Sequence, residues 1–253
     1  MSPLPSISLT SPSAGGTAVN ARGELAVDEG LGFGCRDYLW LPTANYGLAA
    51  GYHRLPSLNG LNEGSPTDIN DRGQIVGFKT GACDALGGGN PAFLWLPEPA
   101  YGLAAGIHDI TPAGLDEGID SAARALNENG QVVGDLDRGF TDEGFLWDRG
   151  VQTDLPFAPT DINELGWIVG NRSGGPVIWR SGQIEALNVL IEPGSGWTLV
   201  RASGINDRGQ IIGVATNPDV GGGQGRAVLL DLASIFADGF ERGDTSTWSV
   251  TVP

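Results

Sequence analysis

TDINDRGQIVG, residues 67–77, is the stretch on which the fold turns, because its pattern occurs five times along the chain. The other copies are TAVNARGELAV at 17–27, RALNENGQVVG at 124–134, TDINELGWIVG at 160–170 and SGINDRGQIIG at 203–213. Each has an aliphatic residue, then an Asn (Asn20, Asn70, Asn127, Asn163, Asn206) and, three positions on, a Gly (Gly23, Gly73, Gly130, Gly166, Gly209). Asn at the first position of a type I turn can bond the backbone ahead of it, and Gly at the fourth takes the left-handed conformation of a bulge. Apolar, β-branched flanks fit a pleated surface, whereas the glycines would break a helix. Each copy therefore predicts a tight β-hairpin. A second Gly closes four of the copies (Gly77, Gly134, Gly170, Gly213), with Val27 in the first, and lets a neighbouring ring or backbone approach closely.

Downstream of each hairpin lies a second apolar stretch: DYLWLP (37–42), AFLWLP (92–97), GFLWD (144–148), VIWR (177–180) and VLLDL (228–232). Four of them carry a Trp (Trp40, Trp95, Trp147, Trp179), and recurrence at one place in a strand reads as core rather than as a sugar-stacking platform. A fourth strand is expected at 53–58, 108–114, 151–157 and 183–191. Successive repeat Asn residues lie 50, 57, 36 and 43 positions apart, close to the roughly 40–50 residues of a four-stranded propeller blade. The expected fold is all-β: a five-bladed β-propeller of four-stranded antiparallel blades. The fifth unit lacks a fourth strand of its own, and SISLT (6–10) precedes the first hairpin without a partner. Pairing the two closes the ring through the N-terminal strand and removes open edges. The propeller would span residues 1–234 as one domain and a monomer, with a tail at 235–253.

Composition narrows the function. Fourteen basic against thirty acidic residues give a net charge of −16, and Lys79 is the sole lysine. A chain without a positive field does not neutralise phosphates, so nucleic acid is excluded as a partner. The apolar runs are strand-sized, which excludes membrane insertion by a helix. MSPLPSISLT lacks the basic start and apolar core of a signal peptide.

Catalytic chemistry is sparse. His53 and His108 occupy the same place in units one and two, after YGLAAG, which marks repetition rather than a catalytic pair. Metalloprotease, phosphate-loop and dinucleotide motifs do not occur, and Gly194-Ser195-Gly196 lacks the spacing of a nucleophile elbow. Acids are plentiful enough for a glycosidase pair, although thirty of them spread along the chain read first as a solvated surface. Asp135, Asp137, Asp142 and Glu143 resemble a fragment of a calcium loop without the spacing of an EF-hand; no other cofactor is implied. Cys35 and Cys83 follow their repeat Asn by 15 and 13 residues, in the same inter-strand loop of adjacent units. A disulfide there fits an oxidising compartment, and two partly buried thiols are the alternative.

The I-N-x-x-G-x-I/V-V-G core followed by an F-L-W strand resembles the HAF repeats of bacterial probable extracellular repeat proteins, over residues 17–232. The eponymous His-Ala-Phe is replaced here by Arg36-Asp37-Tyr38, Pro91-Ala92-Phe93 and Glu143-Gly144-Phe145, so no role for that His carries over. FADGFERGDTSTWS (236–249) is similar to a segment near the C-termini of secreted bacterial proteins and at the start of some jelly-roll lectin domains, which implies an export or surface-sorting tail or the start of a further domain. These resemblances imply an extracellular or cell-surface module. The expected function is non-catalytic binding of a protein or glycan, or scaffolding, with a glycan-active enzyme using carboxylates at the channel mouth as the alternative.

Overall fold

The computed structural model describes residues 13–31, 34–80, 89–115, 119–137, 142–220 and 223–232. Among these residues nineteen strands form four four-stranded sheets and one three-stranded sheet, all antiparallel. The chain divides into two compact units, Met1–Ala123 and Arg124–Pro253.

In the first unit, β1 (Ser13–Val19), β2 (Leu25–Leu31), β3 (Gly34–Leu41) and β4 (Gly51–Arg54) lie side by side in chain order. The second sheet repeats this with β5 (Glu63–Ile69), β6 (Ile75–Thr80), β7 (Ala92–Leu96) and β8 (Gly106–Asp109). Alternation along each strand sends every second side chain to one face, so Ala26, Leu39 and Leu41 of the first sheet meet Ile69, Ile75 and Phe93 of the second.

The second unit begins inside β9 (Asp120–Leu126), whose sheet continues with β10 (Gln131–Asp137), β11 (Glu143–Asp148) and β12 (Val151–Leu155). The next sheet holds β13 (Ala158–Ile162), β14 (Ile168–Arg172), β15 (Gly175–Arg180) and β16 (Gln183–Ala186). The last has three strands, β17 (Thr198–Ile205), β18 (Gln210–Thr216) and β19 (Arg226–Asp231). Val133, Leu146 and Phe157 pack on Ile162, Ile168 and Val177, and Val169 and Ile178 pack on Leu199, Ile205 and Ile211.

All five turn glycines have positive φ, between 71° and 79°. Each donates its N–H to the carbonyl of the repeat Asn, at 3.0–3.2 Å. The closing Gly answers a bulge in the strand before the turn. Pro66 and Pro159, which cannot donate to a ladder, open bulges opposite Gly77 and Gly170, where a Cβ would strike the carbonyls of Ser65 and Ala158. The first repeat exchanges the two positions, so that Gly16 faces Val27.

The fourth strands are shorter than expected. Two end at Arg54 and Asp109, before Pro56 and Pro112, and β16 gives way to a 3₁₀ helix at Leu187–Leu190. The residues proposed to complete the fifth sheet, 6–10, lie outside the described residues, as does the tail from 235. Ile212 is 56% exposed, whereas its repeat equivalents Ala26, Val76, Val133 and Val169 are each 0% exposed. Val19 is 63% exposed, against 9% or less for Ile69, Leu126, Ile162 and Ile205.

Candidate functional site

Within every sheet the two ends differ. At one end sits the repeated Asn turn, a connection of four or five residues between the first and second strands, beside connections of 9, 9, 2 and 2 residues between the third and fourth strands of the first four sheets. The Asn20 Oδ1 accepts the N–H groups of Arg22 and Glu24, both at 3.0 Å, which fixes the turn. Its Nδ2 donates to the Glu24 carboxylate at 2.7 Å and to the carbonyl of Asn70 in the next repeat at 2.9 Å. In the second unit, Asn127 reaches the carbonyl of Asn163, and Asn163 that of Asn206, each at 3.0 Å. The acid after the Asn takes part as well: Asp71 accepts from Ala21 N–H, Glu164 from Glu128 N–H, and Asp207 from Glu164 N–H, at 2.7–2.9 Å. These residues join repeat to repeat and are committed to one another.

The YGLAAG loops lock onto the same turns. The Tyr46 hydroxyl donates to Glu24 and accepts from Arg22, both at 3.0 Å, and the Tyr101 hydroxyl donates to Gln74 at 2.8 Å. Burial, reinforced by Glu24, pushes the Tyr46 pKa up to about 12. The ring nitrogens of His53 and His108 meet the carbonyls of Ala49 and Ala104 at 2.7 and 2.8 Å, so each His ties down its own loop.

At the other end of the sheets the connections vary, with 2, 11, 5, 2 and 9 residues between the second and third strands of the successive sheets. Near this end, in the first unit, lies a charged cluster that sequence reading did not anticipate. Lys79 Nζ on β6 pairs with Asp37 Oδ2 on β3 at 2.6 Å, with both side chains fully buried, and stands 5.4 Å over the Phe93 ring. Asp28, in register with Asp37 across β2 and β3, accepts from the Ser65 hydroxyl at 2.6 Å. Burial raises the Asp37 pKa against the pull of Lys79, and burial lowers that of Lys79 against the pull of Asp37.

The second unit holds a cavity of about 310 Å³ lined by Leu136, Glu143, Gly144, Asp154, Leu155 and Pro156. Glu143 and Asp154 bring two carboxylates to it from neighbouring strands. The other suggested calcium ligands do not converge there. Both oxygens of Asp135 bond the Arg124 guanidinium, at 2.6 and 2.8 Å; Asp142 is exposed, and the Asp137 side chain lies outside the described residues. Among the described residues no three His, Cys, Asp or Glu side chains gather as a metal site. Cys83 and the Cys35 side chain also lie outside them, and with them the suggested disulfide. Trp40, Trp95 and Trp147 are buried, and Trp179 packs half-buried on the core around Val177. No described helix is long and apolar enough to cross a membrane.

Among solved structures, a gluconolactonase from Xanthomonas campestris is similar to this chain at a TM-score of 0.42 and 15% identity, over 81% of this chain and 69% of that one. No curated protein matches the sequence. A family model described as a protein of unknown function, DUF3466, matches residues 56–229, more than half of the chain, and the chain belongs to that family.

Proposed function

We propose that this chain is an extracellular, non-catalytic binding module, a five-bladed β-propeller that takes a protein or glycan ligand through the loops opposite the Asn turns. The observation that carries the reading is the contrast between the first and second turns of each sheet. The Asn turns keep four or five residues and are engaged in joining repeats, while the connections between the second and third strands, at the far end, range from 2 to 11 residues. Variable loops on a constant scaffold are where binding specificity accumulates. Closure of the ring by residues 6–10, as the fourth strand of the fifth sheet, fits the exposure of Ile212 and Val19, since both equivalent surfaces are covered in the other repeats. The extracellular placement rests on the resemblance to HAF repeats, and fractionation of the producing cell tests it.

A glycan array probed with the purified chain tests the binding. Replacing residues 81–88, part of the 81–91 connection, by two residues should abolish the signal while leaving the far-ultraviolet circular dichroism of the parent unchanged. A signal that survives shortening of that loop and of 217–225 would overturn the assignment of the binding end. The cavity bearing Glu143 and Asp154 supports a second reading, a glycan-active enzyme. Release of new reducing ends from a bound glycan, lost in Asp154→Asn, would establish that reading in place of the first.

A further inference from the structure

Asn-Gly occurs twice in the chain, at Asn59-Gly60 and at Asn129-Gly130. Asparagine is thermally labile, and the peptide nitrogen of a glycine that follows it is not shielded by a Cβ. The two pairs stand in different surroundings. Gly130 is buried in the turn between β9 and β10 of a four-stranded sheet. Its N–H donates to the Asn127 carbonyl at 3.2 Å, and the Asn129 amide donates to the Glu164 carbonyl at 2.9 Å. Asn59 and Gly60 are both exposed, at the tip of a turn closed by the isolated bridge between Leu58 and Leu61. These two leucines exchange backbone bonds of 3.1 and 2.8 Å, and the Gly60 N–H donates to no described residue. A Cβ on Gly60 would meet nothing within 4 Å.

We propose that Asn59 is a site of spontaneous deamidation, and that the reaction unties a contact between the first two sheets. The Gly60 nitrogen attacks Cγ of Asn59. A bond from nitrogen to Cγ forms as the bond from Cγ to Nδ2 breaks, and the amide leaves as ammonia with the proton of the Gly60 N–H. Water then opens the cyclic imide at either carbonyl, which gives aspartate, or isoaspartate with the main chain routed through the former side chain. Attack needs Asn59 to rotate out of its left-handed conformation, with φ of 53°. A surface turn held by one bridge opens locally at smaller cost than a hairpin inside a sheet. The same rotation at Asn129 would break a repeat turn and its tie to Glu164.

The consequence lies in the partner of Asn59. Its Nδ2 donates to Asp109 Oδ2 at 3.1 Å, which joins the connection after β4 of the first sheet to the last residue of β8 in the second. The other Asp109 oxygen accepts from the Thr111 N–H at 2.9 Å. Deamidation removes the donor and sets one carboxylate against another, so attraction becomes repulsion. This inference stands apart from the binding reading and does not depend on it.

The full chain, kept warm at mildly alkaline pH and sampled by peptide mass mapping, reads the reaction directly. Most of the peptide carrying Asn59 should convert, with isoaspartate among the products, while the peptide carrying Asn129 keeps its amide; in urea both should convert. A folded chain in which Asn129 converts as fast as Asn59 overturns the proposal. So does one in which Asn59 keeps its amide although it converts in urea, because the turn would then protect it. Asn59→Asp should melt lower than the parent, and adding Asp109→Asn, which exchanges amide and carboxylate, should restore the melting temperature. An Asn59→Asp variant that melts with the parent would overturn the untying of the two sheets.

Discussion

The side-chain amide of Asn163 donates to the main-chain carbonyl of Asn206, 43 residues further along the chain, at 3.0 Å. The same side chain accepts from the N–H groups of Leu165 and Trp167, at 3.1 and 2.9 Å. One residue thus shapes its own hairpin and fastens it to the next, which links the local motif to the packing of sheets. The Asn20–Asn70 and Asn127–Asn163 pairs repeat the arrangement.

Asn163→Ala should therefore cost more than an ordinary turn mutation. It strands two backbone N–H groups and removes the bond to the Asn206 carbonyl, which keeps the N–H of Gly209, at a site where the side chain is buried, and a loss of about 2–3 kcal/mol is expected. Asn206 is exposed and bonds the groups of its own turn and Gln210, so Asn206→Ala should cost about 1 kcal/mol. Chemical denaturation of both variants checks the ranking. Equal losses would mean that the inter-repeat bond contributes nothing.

The hairpins were legible in the sequence because an Asn and a Gly three residues later act within one turn, and turn chemistry is local. The acids that follow the Asn in repeats two to five, with Ala21 in the first, were a readable sign of the joint between repeats. Reading them so needed the register of one sheet against the next, and nothing within a single motif contains that register. The Lys79–Asp37 pair was hidden for the same reason: its members are 42 positions apart and belong to different sheets. The calcium suggestion at Asp135 did not allow for Arg124, eleven residues away on the neighbouring strand, whose guanidinium holds both carboxylate oxygens.

Gly73 and Gly23 have nearly the same backbone, with φ of 71° and 75°, and different surroundings. A Cβ at Gly23 meets nothing within 4 Å, whereas at Gly73 it would collide with the Tyr46 hydroxyl. Gly23→Ala should cost about 1 kcal/mol for the left-handed backbone alone, and Gly73→Ala about 1–2 kcal/mol more for the collision. In a Tyr46→Ala background the two glycine substitutions should become equal. A difference that persists there would place the extra cost elsewhere.

Tyr46 also makes a prediction in alkali. Its folded pKa of about 12 lies above the ordinary value of 10.0, so the folded state keeps the proton that the unfolded chain gives up first. The stabilisation is complete below the ordinary value and is lost as the pH rises through the folded value. Denaturation across this range should show the parent losing stability faster than Tyr46→Phe, with the gap closing once the folded-state hydroxyl ionises. Parallel curves for the two proteins would show that the hydroxyl titrates as it does in water.

The buried ion pair supplies the last test, because desolvation and attraction oppose each other there. Lys79→Met leaves the Asp37 carboxylate buried without its cation, and the expected cost is about 3–5 kcal/mol. Adding Asp37→Leu removes the stranded charge, and the double variant should return to within about 1 kcal/mol of the parent or exceed it. The sign of the pH dependence follows from the two shifts. Asp37, raised by burial, favours the folded state in acid and loses that contribution as the pH rises through its folded pKa. Lys79, lowered by burial, disfavours the folded state until the pH rises through its folded pKa towards that of the unfolded chain, where the penalty disappears. Between those two transitions both groups are charged and desolvation weighs most. The double variant should therefore gain most over the parent in that middle range and least at either extreme. A double variant less stable than the parent throughout the middle range would show that the Lys79–Asp37 attraction outweighs the cost of taking both charges out of water.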